Sequence, residues 1–243
     1  MTSERGPAGA DRRAELARNL AAVRARVAAA CAAAGREAGE ITLIAVTKTR
    51  PAADAVALAG LGLADFGENR DQEAAPKAAA VAEATSAAVT WHFIGQLQTN
   101  KAASVARYAA FVHSVDRLRL IRALGAAARR AGRVVECMIE ISLDGDPARG
   151  GARAAEVPGL AEALMAEEGL SLAGVMAVAP LGMAPAAAFT ELLDSAAAVR
   201  AVRPAATAIS AGMSSDLEAA IAAGATHVRI GTALLGDRGA HVR

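Results

Sequence analysis

The chain has 243 residues, a length compatible with one domain. Its 26 basic and 25 acidic residues give a net charge of +1, which provides neither a basic surface for nucleic acid nor a polybasic membrane patch. This balance favours a small-molecule partner. Cys31 and Cys137 have no neighbours at metal-ligand or CxxC spacing, which is typical of reduced, buried thiols.

The first predicted element is a long helix. Apolar residues recur at three- and four-residue steps over residues 11–36, and Gly35 is a suitable end. The segment before this helix carries several charges and lacks the apolar core of a signal peptide. We therefore expect residues 1–10 to be a flexible N-terminus, residues 11–243 to form one domain, and the protein to be cytoplasmic.

Beyond this helix, short apolar runs alternate with alanine-rich helical segments, the pattern of βα units around a parallel sheet. Eight runs are predicted to be strands, and they lie at residues 41–48, 64–69, 90–95, 110–116, 134–143, 172–179, 207–213 and 227–236. The pattern predicts an α/β fold, a (βα)8 TIM barrel with an extra N-terminal helix. An open doubly wound sheet is the alternative, but "TKTRPAAD" after the first strand is not a glycine-rich dinucleotide turn.

One uncharged stretch, residues 169–190, is long enough to raise the question of a membrane span. Pro180 and Pro185 interrupt it, and proline breaks a helix interior. A strand, a loop and the start of a helix explain the stretch better, so no membrane association is expected.

The active site of such a barrel lies at the C-terminal ends of its strands. The residues expected to converge there are Lys48 from the first strand, Asn69 from the second, His92 from the third, Met213 and Ser214 after the seventh, and Arg229, Gly231 and Thr232 from the eighth. This set contains an amine, a guanidinium and several small polar groups, which suit a small polar ligand.

The junction after the seventh strand indicates an anion site. Ser215 and Glu218 have the spacing of a capping box, which predicts a short helix that Gly224 ends. The first turn of such a helix offers unpaired N–H groups, and Gly231 would let a ligand approach the backbone, so a phosphate fits there. Each feature also has a simpler explanation: helix termination for the box, and relief of crowding inside the barrel for Gly231.

Lys48 is one of only three lysines, with Lys77 and Lys101. A lysine at a strand end is commonly a solvated rim charge. Held among apolar neighbours, its amine would instead have a lowered pKa and react with an aldehyde. Pyridoxal 5'-phosphate carries both an aldehyde and a phosphate, so an amine and an anion site at one mouth suit this cofactor.

Five motifs occur in order over residues 15–238: "AVTKT", "FGEN", "WHFIGQLQTNK", "SAGMSSDLEAAIAAG" and "VRIGTALLG". In this the chain resembles the pyridoxal phosphate homeostasis protein family, whose fold is similar to the N-terminal barrel of alanine racemase. The cofactor-binding residues that the resemblance implies are Lys48 for an internal aldimine, Asn69 and Met213 beside the ring, Arg229 facing the pyridine nitrogen, and Ser214, Gly231 and Thr232 at the phosphate.

Three positions depart from the family's pattern. Thr47 stands where serine is frequent, Arg70 where an aromatic residue or lysine is common, and Arg149 where lysine is frequent. Arginine does not become a neutral nucleophile, so Arg149 is not expected to form a second Schiff base, although it can attract phosphate. Lys101 is expected to be another rim cation. His92 is either a satisfied core histidine or a ligand contact.

An arginine opposite the pyridine nitrogen would leave the ring neutral and weaken carbanion stabilisation. Racemases of related fold add a tyrosine from a further domain of the partner subunit, whereas this chain has only Tyr108. We therefore expect a monomeric carrier that stores, buffers or delivers pyridoxal phosphate, with PLP-dependent apoenzymes as recipients and without turnover. A fold-type III enzyme such as an amino-acid racemase is the alternative, and a Schiff-base aldolase acting on a sugar phosphate is a third.

Overall fold

Eight parallel strands pair in sequence order and close into a barrel, so the predicted (βα)8 architecture is confirmed. The computed structural model describes residues 7–146, 149–180, 182 and 185–236. The strands are β1 (Thr42–Val46), β2 (Asp65–Glu68), β3 (Thr90–Phe93), β4 (Phe111–Val115), β5 (Val135–Glu140), β6 (Leu170–Met176), β7 (Ala208–Ser210) and β8 (His227–Ile230). The α-helices of the described residues are α1 (Pro7–Ala33), α2 (Ala52–Ala59), α3 (Asp71–Ala84), α4 (Ala102–Tyr108), α5 (Leu118–Arg130), α6 (Val157–Ala166), α7 (Pro185–Val202), α8 (Leu217–Ala222) and α9 (Thr232–Leu235).

The predicted eighth strand is too long. Strand β8 ends at Ile230, and the apolar run that follows it forms the short helix α9. Gly231 makes the change of direction with φ −108° and ψ −81°, and its carbonyl accepts hydrogen bonds from the N–H groups of Leu234 and Leu235. Thr232 is therefore the first residue of a helix and not part of the strand.

Helix α1 packs against the outside of the barrel. It begins at Pro7, four residues before the predicted start, and Gly35 follows its end with φ +66°, as a C-terminal glycine should. Its apolar face is buried in one core with β1, β2, β8, α2 and α8. The buried side chains of this face are Leu16, Leu20, Val23, Val27 and Cys31. Residues 1–6 of the predicted flexible N-terminus lie outside the described residues.

The inside of the barrel is unusually polar. Alternate residues of β8 divide between the two faces, so that Val228 and Ile230 pack outward against the helices while His227 and Arg229 point inward. The inward residues also include His92 and His113, whose rings lie edge to face with centroids 5.1 Å apart. Helix packing therefore uses alanine and aliphatic side chains, while the interior contains ring nitrogens and hydroxyls.

The long uncharged stretch divides as predicted into strand β6, a loop and helix α7. Within the described ranges, none of the helices combines the length and the hydropathy that crossing a bilayer requires. Both cysteines are free and buried, Cys31 in α1 and Cys137 in β5.

Truncation of Leu16 tests whether α1 belongs to the cooperative core. Because Leu16 is fully buried, Leu16→Ala should lower the free energy of unfolding by about 2–5 kcal/mol through lost burial and a residual cavity. The control is Arg18→Ala on the exposed face of α1, which should change it by at most about 0.5 kcal/mol. Urea denaturation followed by circular dichroism measures both, and equal effects would show that α1 unfolds separately from the barrel.

Candidate functional site

Lys48 stands at the C-terminal mouth of the barrel, two residues after β1 ends, as predicted. The chain turns sharply at this point, since the Arg50 N–H donates to the Thr47 carbonyl at 3.0 Å and Thr49 adopts φ +61°. The Lys48 side chain is exposed. Of the two interpretations of Lys48, this exposure agrees with a lysine at the rim of the mouth and not with an amine enclosed by apolar neighbours.

A buried ion pair holds the residue before Lys48. Lys77 of α3 donates from Nζ to the Thr47 carbonyl at 2.6 Å and to Glu68 Oε1 at 2.5 Å. Thr47 also donates its hydroxyl to the same Glu68 oxygen at 2.7 Å. All three residues are buried. Sequence reasoning missed this pair, and the only available signal was the scarcity of lysine in the chain.

Asn69 follows β2 at the same mouth, next to the cluster around Thr47. Its side-chain oxygen Oδ1 is buried and has no hydrogen-bond partner among the described residues. Gly95 packs directly against the Asn69 backbone, since a Cβ at Gly95 would lie 2.2 Å from the Asn69 carbonyl oxygen. The glycine therefore lets Asn69 sit deep enough to offer an amide group to a ligand.

Ser214, Gly231 and Thr232 come together after β7 and β8, in the part of the mouth next to the end of β1, since β8 pairs with β1. Ser214 Oγ accepts a hydrogen bond from the N–H of Ala233, the second residue of α9, at 3.3 Å. A Cβ at Gly231 would meet no protein atom closer than 3.7 Å. A ligand oxygen thus has room beside a hydroxyl and a turn of backbone N–H groups. Met213, the predicted ring contact, is partly exposed beside them.

The predicted capping box of Ser215 and Glu218 does not form. Helix α8 begins at Leu217, and Asp216 closes the preceding turn by accepting the Met213 N–H on Oδ1 at 2.7 Å. Glu218 instead pairs with Arg26 of α1 at 2.8 Å. The Glu218 carboxylate thus pairs with the guanidinium of Arg26 on a neighbouring helix and does not cap its own helix.

Two other predictions concern this junction: the end of the helix at Gly224 and the anion site. Gly224 follows α8 with φ +98°, as predicted for the end of that helix. Ser214 lies against the start of α9, where the Ala233 N–H donates to its hydroxyl, and the anion site stays a prediction.

Arg229 lies inside the barrel, below the mouth, with 4% of its surface exposed. Its Nη1 donates to Ser210 Oγ at 2.7 Å and its Nη2 to the Ala177 carbonyl at 2.8 Å. Burial lowers the pKa of Arg229 to about 10, and the nearby carboxylate of Glu140 opposes that shift. The guanidinium therefore stays protonated at neutral pH.

Glu140, the last residue of β5, is a site residue that sequence reasoning missed. Burial and the charge of Asp116 raise its pKa to about 7, against the opposing influence of Arg229, Arg117 and Arg149. Its Oε2 atom is buried and has no hydrogen-bond partner among the described residues. This carboxyl group therefore exchanges a proton near neutral pH.

The remaining predicted residues are further from the mouth or bound to protein groups. His92 is buried, and both its ring nitrogens contact protein atoms, which favours the core-histidine interpretation. Lys101 is half-buried in a short 3-10 turn before α4. Arg149 pairs with Asp144 at 3.3 Å and donates to the Val178 carbonyl, so it joins two loops of the mouth. Arg70 is exposed and lies 3.8 Å from Glu73.

The site thus combines an exposed lysine, an unsatisfied amide oxygen, a fixed guanidinium and an open turn of backbone at one end of a parallel barrel. The described residues contain no cluster of side chains suited to a metal ion. These features define a class of protein: a closed parallel α/β barrel with a lysine at its mouth and a buried guanidinium below it.

Comparisons with known proteins agree with this class. A model of the alanine racemase N-terminal domain family matches residues 17–239. The pyridoxal phosphate homeostasis protein of Mycobacterium tuberculosis is 44% identical over an alignment of 245 positions, which covers 94% of this chain and 95% of that protein. The structure of PipY from Synechococcus elongatus with PLP bound is 33% identical, covers 91% of this chain and all of that one, and superposes with a TM-score of 0.79. Alanine racemase from Corynebacterium glutamicum shares the fold, with a TM-score of 0.69 at 16% identity over 63% of its length.

The chain therefore belongs to the alanine racemase N-terminal domain family and, within it, to the pyridoxal phosphate homeostasis proteins. The family resemblance drawn from the five motifs is confirmed.

Removal of Lys77 tests the buried ion pair. Lys77→Met leaves the Glu68 carboxylate buried without its partner, which should cost about 3–5 kcal/mol of unfolding free energy. The double variant Lys77→Met/Glu68→Gln should recover a large part of that loss, because no isolated charge remains. Urea denaturation of Lys77→Met, Glu68→Gln and the double variant, with Lys101→Met as the control lysine, gives the coupling energy. Additive effects of the two substitutions would contradict a direct interaction.

The raised pKa of Glu140 predicts a specific dependence of stability on pH. The folded state binds the proton more tightly than the unfolded state, whose pKa is near 4.5, so this contribution is present at low pH and is lost as pH rises through about 7. Glu140→Gln should therefore match the wild type near pH 4 and exceed its unfolding free energy by up to about 3 kcal/mol near pH 8. Glu162→Gln, on the exposed surface of α6, is the control. A variant less stable than wild type at both pH values would contradict the shift.

Proposed function

We propose that this chain binds pyridoxal 5'-phosphate, with Lys48 as the attachment residue, and that it stores, buffers or delivers the cofactor without turnover. The observation that carries the proposal is the meeting of Lys48 with Ser214 and the Gly231 turn at one barrel mouth. The relatives support it, since one is named a pyridoxal phosphate homeostasis protein and another was solved with PLP bound.

Bound pyridoxal phosphate supplies an aldehyde that reacts reversibly with a primary amine, and a phosphate that accepts hydrogen bonds. Lys48 provides the amine. Ser214 and the backbone from Gly231 to Thr232 donate to the phosphate, while Asn69 and Met213 lie beside the ring. Arg229 donates to the pyridine nitrogen. The exposure of Lys48, the unpartnered oxygen of Asn69, the position of Ser214 beside α9 and the burial of Arg229 below the mouth support these roles.

The exposure of Lys48 supports a carrier. An amine from another protein or from an amino acid can reach an exposed attachment point without any movement of the barrel. We infer that exchange with such an amine releases the cofactor to PLP-dependent apoenzymes, and that the chain does this in the cytoplasm as a monomer. Transfer assays with a purified apoenzyme and sedimentation of the pure protein test the recipients and the monomer.

One observation favours a second function, that of a fold-type III enzyme such as an amino-acid racemase. Glu140 exchanges a proton near neutral pH and lies close enough to Arg229 to influence its charge. Tyr108, the chain's one tyrosine, lies on α4 and lines a cavity between α3 and α4 instead of the mouth. Chiral analysis of alanine and serine incubated with cofactor-loaded protein distinguishes the two functions, because sustained turnover would exclude a pure carrier.

Borohydride reduction followed by peptide mass mapping tests the attachment residue. The pyridoxyl group should be found on the peptide that contains Lys48. Lys48→Ala should remove both the modification and the yellow absorbance and leave the unfolding midpoint nearly unchanged, since an exposed mouth residue contributes little to packing. Lys101→Ala is the control and should retain both signals.

An adduct on Lys77 or Lys101 would refute the assignment of Lys48. A colourless protein without any pyridoxyl group would refute cofactor binding and would favour the Schiff-base aldolase.

A further inference from the structure

A continuous hydrogen-bonded chain runs through the barrel interior and ends on Arg229. Asp65 Oδ1 lies 3.0 Å from His92 Nε2, and His92 Nδ1 lies 2.9 Å from His113 Nε2. His113 Nδ1 lies 2.9 Å from Ser210 Oγ, which in turn accepts from Arg229 at 2.7 Å. The bond between His113 of β4 and Ser210 of β7 crosses the barrel interior, because these strands are not neighbours.

With both imidazoles neutral, the two ends of the chain fix the direction of every bond in it. Arg229 can only donate, so Ser210 Oγ accepts from it and has its own hydroxyl proton free for His113 Nδ1. At the other end a carboxylate can only accept, so a neutral His92 donates from Nε2 to Asp65 and leaves Nδ1 as the acceptor for His113 Nε2. In this arrangement both imidazoles are Nε2–H tautomers, and the donors run from Arg229 to Asp65 without a conflict.

Burial keeps this direction stable. His92, His113 and Ser210 are each at most 1% exposed. The pKa of His113 lies well below its usual value, chiefly because burial disfavours the charged ring, and the positive charge of Arg229 acts in the same sense. Protonation of His113 would also put a second donor against the Ser210 hydroxyl, which would have to reverse.

The chain also fixes the plane of the guanidinium. Because that group is planar, two acceptors held by the barrel, Ser210 Oγ and the Ala177 carbonyl, determine where its other N–H groups point. Ser210 is held in turn by His113. The orientation of Arg229 therefore depends on residues that lie on the far side of the barrel from it.

We propose that Ser210, His113 and His92 are positioning residues that aim the Arg229 guanidinium at the ligand above it. The part of this inference that concerns the cofactor rests on the proposed function, in which Arg229 donates to the pyridine nitrogen. The part that concerns the chain of hydrogen bonds is independent of the proposed function.

The first experiment uses the cofactor-free protein. Long-range proton–nitrogen NMR correlations of the imidazole rings near neutral pH should show His92 and His113 as neutral Nε2–H tautomers. An Nδ1–H tautomer or a charged ring at either position would overturn the directional chain. Asp65→Leu removes the terminal acceptor and should allow both rings to populate the other tautomer.

The second experiment uses the cofactor-loaded protein. Ser210→Ala removes the acceptor that touches Arg229, and His113→Phe removes the next link without touching either Arg229 or the mouth. Both should raise the dissociation constant for pyridoxal phosphate by about tenfold, the loss of one aimed charged hydrogen bond. They should also lower the pH midpoint of the cofactor's visible absorbance by about one unit. A ring nitrogen without its arginine partner gains a proton and withdraws electrons, which accounts for the direction of that shift.

Two further variants separate positioning from packing. Ser210→Thr retains the hydroxyl and should restore the midpoint of the wild type. His227→Phe alters a ring that lies 6.1 Å from His113 but bonds to Thr226 instead of joining the chain, so it should leave the midpoint unchanged. If Ser210→Ala and His113→Phe keep the wild-type midpoint and affinity, the network serves packing alone and the inference is wrong.

The two proposals fail in different ways. If the wild-type protein binds the cofactor at Lys48 and the variants behave like the wild type, only the positioning role is refuted. Wild-type protein that does not bind pyridoxal phosphate would refute the proposed function and the cofactor-aiming role together, and the tautomer measurement would still decide the chain of bonds.

Discussion

The carbonyl oxygen of Thr47 is the atom on which the site depends. It accepts from the Lys77 amine and from the Arg50 N–H at once, so the end of β1 is held from both sides while the chain turns. The turn places Thr49 at φ +61°, a conformation that is costly for a β-branched residue. A clamp of buried, charge-assisted bonds offsets that cost, and its result is that Lys48 stands over the mouth in one place. The amine is exposed, but the backbone that bears it is not free to move.

The part of the mouth that follows β7 and β8 depends on α1, the element that a plain eight-fold barrel lacks. Three of its side chains donate to backbone carbonyls there, namely Arg26 to Ser214 at 3.1 Å, Asn19 to Leu234 at 3.0 Å and Arg12 to Leu235 at 3.1 Å. The carbonyls at the end of a helix as short as α9 have no partners within it, so they need donors from outside. The extra helix thus provides donors to the carbonyls around the turn that Ser214 and Gly231 form, just as Lys77 provides a donor to the carbonyl before Lys48.

The sequence predicts the barrel well because its signal is repeated eight times, and an error at one strand does not disturb the others. Single junctions are less certain. An apolar run such as "GTALL" suits a strand or a short helix equally, and only the turn at Gly231 decides. The pattern of Ser215 and Glu218 describes a local cap, yet Arg26 lies nearly two hundred residues away and captures Glu218. The burial of Lys77 could not be predicted from a pattern, because an alanine-rich helix does not reveal which of its polar residues will be buried against a strand end.

The site is therefore divided into an exposed part and an enclosed part. Arg229 is enclosed and held by groups inside the barrel, and the turn that Ser214 and Gly231 form is held by α1. Lys48 and Met213 are exposed at the mouth. A catalyst gains from enclosing its reactive group, since exclusion of water strengthens every charge interaction around the transition state. A carrier gains from the reverse arrangement, because its covalent partner must be exchangeable while the rest of the ligand stays bound. The exposed Lys48 above the enclosed Arg229 guanidinium agrees with the second requirement, in line with the proposed carrier.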